Sequence, residues 1–364
     1  MSDAYADTRG RAQALRGHAA MLGFSAAVSG SFSLGVMVAN DIPPVALTAA
    51  RFLLASAVLA LLVVLTGGGR GGRHGFSRAD LAQPWRYGLL AVLYGGYFVL
   101  MFEGLKTAHP VSAGAVFTLT PLMTALIAWP LLGQRPLPYV TAALAVGAAG
   151  AVWVIFRGDL RALVGFQIGK GEAIYFLGCI LHAFYTPMLR RLNRGEGAMV
   201  TASLVTLAGF AVLMVYDGRA VLATDWLGLP LLVWVALGYL VILATAFSAS
   251  AMQFAAQRLP ASKVMAYTYA TPVWIILWEL ALGHGAPGLA VFPGVFLIVA
   301  ALLILLRADS PPRAITRKCL DFAAGPAQHF RVFINRVPGR PRARPFPERR
   351  SPCPRPPVFS SSAR

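Results

Sequence analysis

Apolar residues fill this chain in long runs separated by short polar or Gly/Pro breaks, at about 19–40, 43–66, 86–107, 109–132, 136–157, 168–189, 198–216, 228–256, 261–282 and 286–306. A helix that crosses the hydrocarbon of a bilayer needs about 20 mainly apolar residues, so the pattern predicts ten spanning helices. Strands of a membrane barrel would instead alternate apolar and polar positions over about ten residues. The expected fold class is therefore an all-α integral membrane protein.

Composition agrees. Of 364 residues 57% are hydrophobic and 13% charged, against about a quarter charged in soluble domains, which excludes a soluble globule. The net charge is +18, but 13 of the 32 Lys and Arg and only three acids lie in 307–364, so over half the excess, 13 minus 3, belongs to the tail. That Pro, Arg and Ser mixture is expected to be disordered. Residues 1–18, with Arg9, Arg11 and Arg16, read as a cytoplasmic segment. The run that follows exceeds a secretory signal core and reads as an uncleaved first span. With the N-terminus inside, the inner segments before the tail hold twelve cations, among them Arg70, Arg86, Arg190 and Arg191. The outer ones hold five, Lys106, Arg157, Arg161, Lys170 and Arg219. The bias predicts that both termini are cytoplasmic. Cys179 stands in an apolar run and Cys319 and Cys353 in the tail, so no disulfide framework or zinc motif is implied.

An offset of 150 residues brings Pro110 onto Pro260, Ser112 onto Ser262, Thr118 onto Thr268 and Gly133 onto Gly283, with Pro121 one residue out of register from Pro272. Each half then holds five spans. Because five is odd, the second half enters the membrane in the opposite sense, the inverted duplication of many secondary transporters, with a site near the midplane between the halves. The expected organisation is a segment 1–18, repeats at 19–157 and 168–306, and a tail 307–364.

Pro44, Ala49, Arg51 and Phe52 of the second span, with Gly104, Leu105, Pro110, Ser112, Ala113, Thr120, Pro121, Leu122 and Gly133, resemble the EamA-type repeat of the drug/metabolite transporter superfamily. Ala255, Leu259, Pro260, Ser262, Thr271, Pro272 and Gly283 resemble its second copy, so the likeness covers about 19–306. Where that family often carries Glu after the closing glycine, this chain has Gln134 and His284. The resemblance implies a bacterial inner-membrane exporter or uptake carrier of small metabolites, amino acids or related compounds among them, working by alternating access.

Ionisable groups inside a membrane are expensive, which makes each a functional candidate. Arg51 lies about two turns into the second span, where its stem can reach the interface, so snorkelling or structural pairing is expected. Glu103 reads as a coupling or substrate group, or as an interfacial acid near Lys106, and its repeat partner is Gln253. Lys263, Tyr267, Thr271, Trp274 and Trp278 recur on one face of the ninth span, suited to a wet cavity. The sixth span sets Tyr175, His182 and Tyr185 together, and His182 could serve as a proton relay or as a core donor. Tyr97 of the third span joins these as a substrate-binding candidate. Ser25, Ser29 and Ser33 form a face suited to helix packing, and Ala143, Gly147 and Ala151 one suited to an internal contact or a dimer seam. Glu279 is expected near the outer surface.

A membrane-embedded enzyme would need nucleophile, acid–base or metal groups converging on one site. The six histidines are dispersed, and Glu103 and Glu279 stand on different spans. A channel would assemble filter rings through oligomer symmetry. A carrier is the expectation, with no catalytic residue, cofactor or metal. Its partners are a small-molecule metabolite and the lipid bilayer, with proton coupling open, no nucleic acid, and a monomer or homodimer as the assembly.

Overall fold

The computed structural model describes residues 2–66, 75–78, 80–133, 137–165, 167–256, 258–259 and 261–307. The Gly-rich linker after residue 66, Gln134, Pro260 and the tail from residue 308, including its expected disorder, lie outside the described residues, as does the side chain of Gln253. The ordered elements are helical throughout. They are α1 (Ser2–Val38), α2 (Pro44–Thr66), α3 (Trp85–Leu105), α4 (Pro110–Thr118), α5 (Thr120–Leu132), α6 (Pro138–Ile155) and α7 (Leu160–Val164). The second half contains α8 (Lys170–Leu192), α9 (Ala198–Ala223), α10 (Leu231–Val241), α11 (Ser248–Ala256), α12 (Ala261–Ala266), α13 (Thr271–Ala281) and α14 (Phe292–Arg307).

Among the described residues nine helices are long and apolar enough to cross a membrane. The tenth expected run, 261–282, is not among them, because α12, a 3-10 stretch Tyr267–Ala270 and α13 divide it into pieces shorter than that length. The expected run 109–132 is likewise divided, at Leu119 between α4 and α5. Both divisions fall just before a repeat proline, Pro121 or Pro272. Proline has no amide hydrogen and its ring collides with the carbonyl four residues back, so the helix changes its winding there. The first helix also starts earlier than the apolar run, at Ser2, and α9 bends at Asp217 (φ −152°, ψ 58°). Between α10 and α11 the run is wound as a π-helix, Ile242–Phe247. Gly133 closes α5 in the left-handed conformation (φ 67°), its amide bonded to the Trp129 carbonyl at 2.8 Å.

The two halves exchange helices. α3 packs along α8, and their repeat counterparts, the α10–α11 helix and α1, pack together as well. α4 and α5 lean on α8, while α13 leans on α1. α2 meets its own counterpart α9, and α6 meets α14. This reciprocity is what a two-fold relation between the halves produces. Glycines bring two of these pairs close, since a Cβ on Gly104 would stand 2.6 Å from the Gly171 carbonyl oxygen and one on Gly150 2.6 Å from that of Gly294. Helices without side chains at the crossing gain backbone contact that lipid cannot match. Ala143, Gly147 and Ala151 are buried inside the bundle, with the Tyr269 ring against Gly147, so this small-residue face is an internal contact.

Candidate functional site

Rings from both halves converge between α3 and α8. Tyr97 and Tyr175 join hydroxyls at 3.0 Å. The His182 ring lies 4.7 Å from Tyr97, 5.9 Å from Phe117 of α4 and 6.0 Å from Tyr185. Tyr94 stacks on Tyr185 at 4.8 Å and on Phe52 of α2 at 5.6 Å, and Phe98 meets Tyr94 edge-on at 4.8 Å. Such offset and edge-to-face pairs hold rings in fixed positions. The α-helical period explains the convergence, because Tyr94 and Phe98, and His182 and Tyr185, are spaced by four and three residues on their own helices.

Within this enclosure Arg51 is 2% exposed. Its Nε and Nη2 donate to the Thr245 hydroxyl at 3.1 and 3.0 Å, and its guanidinium carbon lies 3.9 Å from the Phe98 ring centre. Of the two expectations for this side chain, snorkelling or structural pairing, the contacts with Thr245 and Phe98 are those of pairing. Nη1 of Arg51 and Nδ1 of His182 are buried without a hydrogen-bond partner among the described residues. Buried polar atoms are almost always partnered, yet these two, like seven others among the described residues, retain hydrogen-bonding capacity that no side chain uses.

The predicted site residues separate into three places. Tyr97, His182 and Tyr185 belong to the ring enclosure. The ninth-run face docks on α1 instead. Tyr267 hydroxyl meets His18 Nδ1 at 2.8 Å, the Thr271 carbonyl accepts from Ser29 Oγ at 3.3 Å, and Trp274 Nε1 donates to Ser25 Oγ at 3.0 Å. Trp278 Nε1 extends the seam to the Ala26 carbonyl at 3.2 Å. Lys263, half-buried in α12, lies within electrostatic reach of His18. Glu103 pairs with Lys106 at 2.7 Å, both partly exposed. Glu279 is buried, with a carboxylate oxygen 3.1 Å from His284 Nδ1. Sequence reasoning missed Tyr94, Phe98 and Thr245 altogether. Four-residue spacing of Tyr94 and Phe98 was the available signal, whereas nothing local marks Thr245.

Outside the spanning helices, burial lowers the His109 imidazole below its ordinary range, and the Arg157 charge acts in the same direction against the pull of Glu279 and Glu172. Among the described residues no group of three His, Cys, Asp or Glu side chains could hold a metal.

A duplicated helical membrane protein with a cluster of rings and buried polar groups between its halves is the class that fold and site define. The family description "EamA-like transporter family" matches residues 15–156 and 169–307, one copy in each half. The chain belongs to the EamA-like transporter family and is a multi-pass membrane transporter of small molecules. It is 23% identical over 286 residues to the uncharacterized transporter YyaM of Bacillus subtilis (strain 168), covering 79% of this chain and 90% of that one. It is 28% identical over 203 residues to the aromatic amino acid exporter YddG of Ancylobacter novellus, covering 54% and 67% of the two chains. A solved crystal structure matches with a TM-score of 0.57 and 25% identity, covering 81% of this chain and 96% of its own.

Proposed function

We infer that this chain is a secondary carrier that moves amino acids or related metabolites with an aromatic or apolar body across a bacterial inner membrane by alternating access. The ring enclosure between the repeats is its substrate site, formed by Tyr97, His182 and Tyr185 with Tyr94 and Phe98. The observation that carries this reading is the unpartnered His182 Nδ1 set among rings of α3, α4 and α8. An apolar lining with a few convergent polar groups, at the seam between repeats, is the physical form of a small-molecule site in a membrane carrier. The name of the YddG relative is consistent with a ring-rich lining.

In this reading the broken helix 261–281 completes ten crossings, the halves are 19–157 and 168–306, and both termini are cytoplasmic. Residues 1–18 extend the first crossing into the cytoplasm, and the tail 307–364 is a disordered appendage. Lys263, Tyr267, Thr271 and Trp274 act as a sliding seam against α1, and Glu103 with Lys106 marks the outer interface. Export by proton exchange and a monomeric or homodimeric assembly complete the proposal.

The test is counterflow in liposomes loaded with unlabelled phenylalanine or tryptophan. Uptake of the labelled compound should accelerate with the wild type and weaken in His182→Ala at matched levels of folded protein. Wild-type vesicles no faster than protein-free ones, across a panel of amino acids and related metabolites, would sink the carrier reading. An imposed pH gradient in the same vesicles should drive accumulation, and its lack of effect would remove proton coupling.

A further inference from the structure

The geometry points to Arg51 as the group that binds a carboxylate of the transported molecule, and to Thr245 as the residue that positions it. This assignment rests on the carrier reading and adds the chemistry of the substrate's charged end.

A guanidinium offers five N–H donors in a planar fork. Thr245 takes one edge of it, accepting from Nε and Nη2 at 3.1 and 3.0 Å. The Thr245 hydroxyl spends its own hydrogen on the Leu240 carbonyl at 2.8 Å, five residues back, a reach that π-helical winding provides. Its oxygen is therefore left only to accept, which fixes both the plane and the direction of the guanidinium. Phe98 covers one face at 3.9 Å. What remains is the Nη1–Nη2 edge, which can receive a carboxylate through two parallel hydrogen bonds. On that edge Nη1 is buried and unpartnered among the described residues.

Charge supports the same conclusion. A hydroxyl and an aromatic face are neutral, so they orient the cation without cancelling it. Among the described residues no carboxylate pairs with Arg51, and a lone cation away from water is costly. A carboxylate carried by the transported molecule supplies the balancing charge. One cation matches one negative charge, which favours a monocarboxylate over a phosphate dianion. Arg51 is also one ring removed from the rest of the site, through Phe98 to Tyr97 at 4.7 Å and from Tyr97 to His182 at 4.7 Å. A carboxylate on Arg51 therefore leaves an attached apolar body among those rings. Because Arg51 belongs to one half and Thr245 to the other, separation of α2 from the π-helix would release the grip.

Three probes with the same benzyl body test this assignment: phenylalanine, 3-phenylpropionate without the amine, and phenethylamine without the carboxylate. Each competes with labelled phenylalanine counterflow in liposomes containing wild type, Arg51→Gln, Thr245→Val or Thr245→Ser, at matched amounts of folded protein. In the wild type both carboxylates should compete at least about tenfold better than phenethylamine, the scale of one charge-assisted pair. Arg51→Gln should erase that preference, Thr245→Val should weaken it with Arg51 still present, and Thr245→Ser should restore it. An undiminished preference in Arg51→Gln and Thr245→Val overturns the assignment while leaving the carrier reading standing. Absence of wild-type counterflow with every probe overturns the carrier reading and this assignment with it. If Arg51→Gln does not insert, Thr245→Val against Thr245→Ser decides alone.

Discussion

Arg86 and Glu196 meet at 2.9 Å with side chains only 3% and 5% exposed, joining the first turn of α3 to the loop between α8 and α9. The contact ties one repeat to the other, and Arg86 Nη1 also donates to the Leu192 carbonyl at 2.7 Å. Removing one partner of a buried pair strands the other charge. Arg86→Met and Glu196→Gln should each cost about 3 kcal/mol, and Arg86→Met with Glu196→Leu should recover most of it. Thermal unfolding in detergent of the two single variants and the double variant measures this, and additive losses would show that the pair is not coupled.

The same pair has a pH signature. Burial alone would raise the Glu196 carboxyl, but the Arg194 amide, a further backbone bond and the Arg86 guanidinium together hold it below the ordinary carboxylate range. A folded value below the unfolded one adds stability above the unfolded pKa of about 4.3, which is lost as pH falls through the folded value. Melting temperature should therefore drop on acidification below about pH 4, and less so in Glu196→Gln. Parallel acid profiles for wild type and variant would refute the assignment.

Close approach of α3 and α8 depends on Gly104. A methyl group there would stand 2.6 Å from the Gly171 carbonyl oxygen, whereas at Gly88 of the same helix it would meet nothing within 4 Å. Gly104→Ala should cost about 1–3 kcal/mol and Gly88→Ala close to nothing. Melting curves of the two variants provide the comparison.

On the seam between α13 and α1, Trp274→Phe and Ser25→Ala each remove the same 3.0 Å hydrogen bond. Each should lose about 1 kcal/mol, and the double variant should lose scarcely more than either single one. A double variant that loses the full sum would mean the two residues act independently.

The helical fold was readable from the sequence because apolar runs of spanning length have few other solutions. Winding was not. The spacing from Lys263 to Trp278 assumed one continuous helix, and the stretch Tyr267–Ala270 is wound as 3-10. At the site, Tyr175, His182 and Tyr185 could be set on one face because a single helix holds them. Arg51 could not be placed, since its depth depends on a partner 194 residues away in the chain. Nor does Trp274 announce whether its indole meets water or Ser25, because an amphipathic ring satisfies either.

The exchange of helices between halves also bears on whether either half could stand alone. A chain holding only residues 19–157 would leave the α3 face that α8 covers, the α2 face that α9 covers and the α6 face that α14 covers all without an internal partner. Since each missing helix is the counterpart of one already present, a second copy of that half-length chain, inserted upside down, would supply all three at once. The architecture is thus equivalent to an antiparallel homodimer held in one chain, with the two halves free to differ, the arginine standing in α2 and the threonine that holds it in the π-helix.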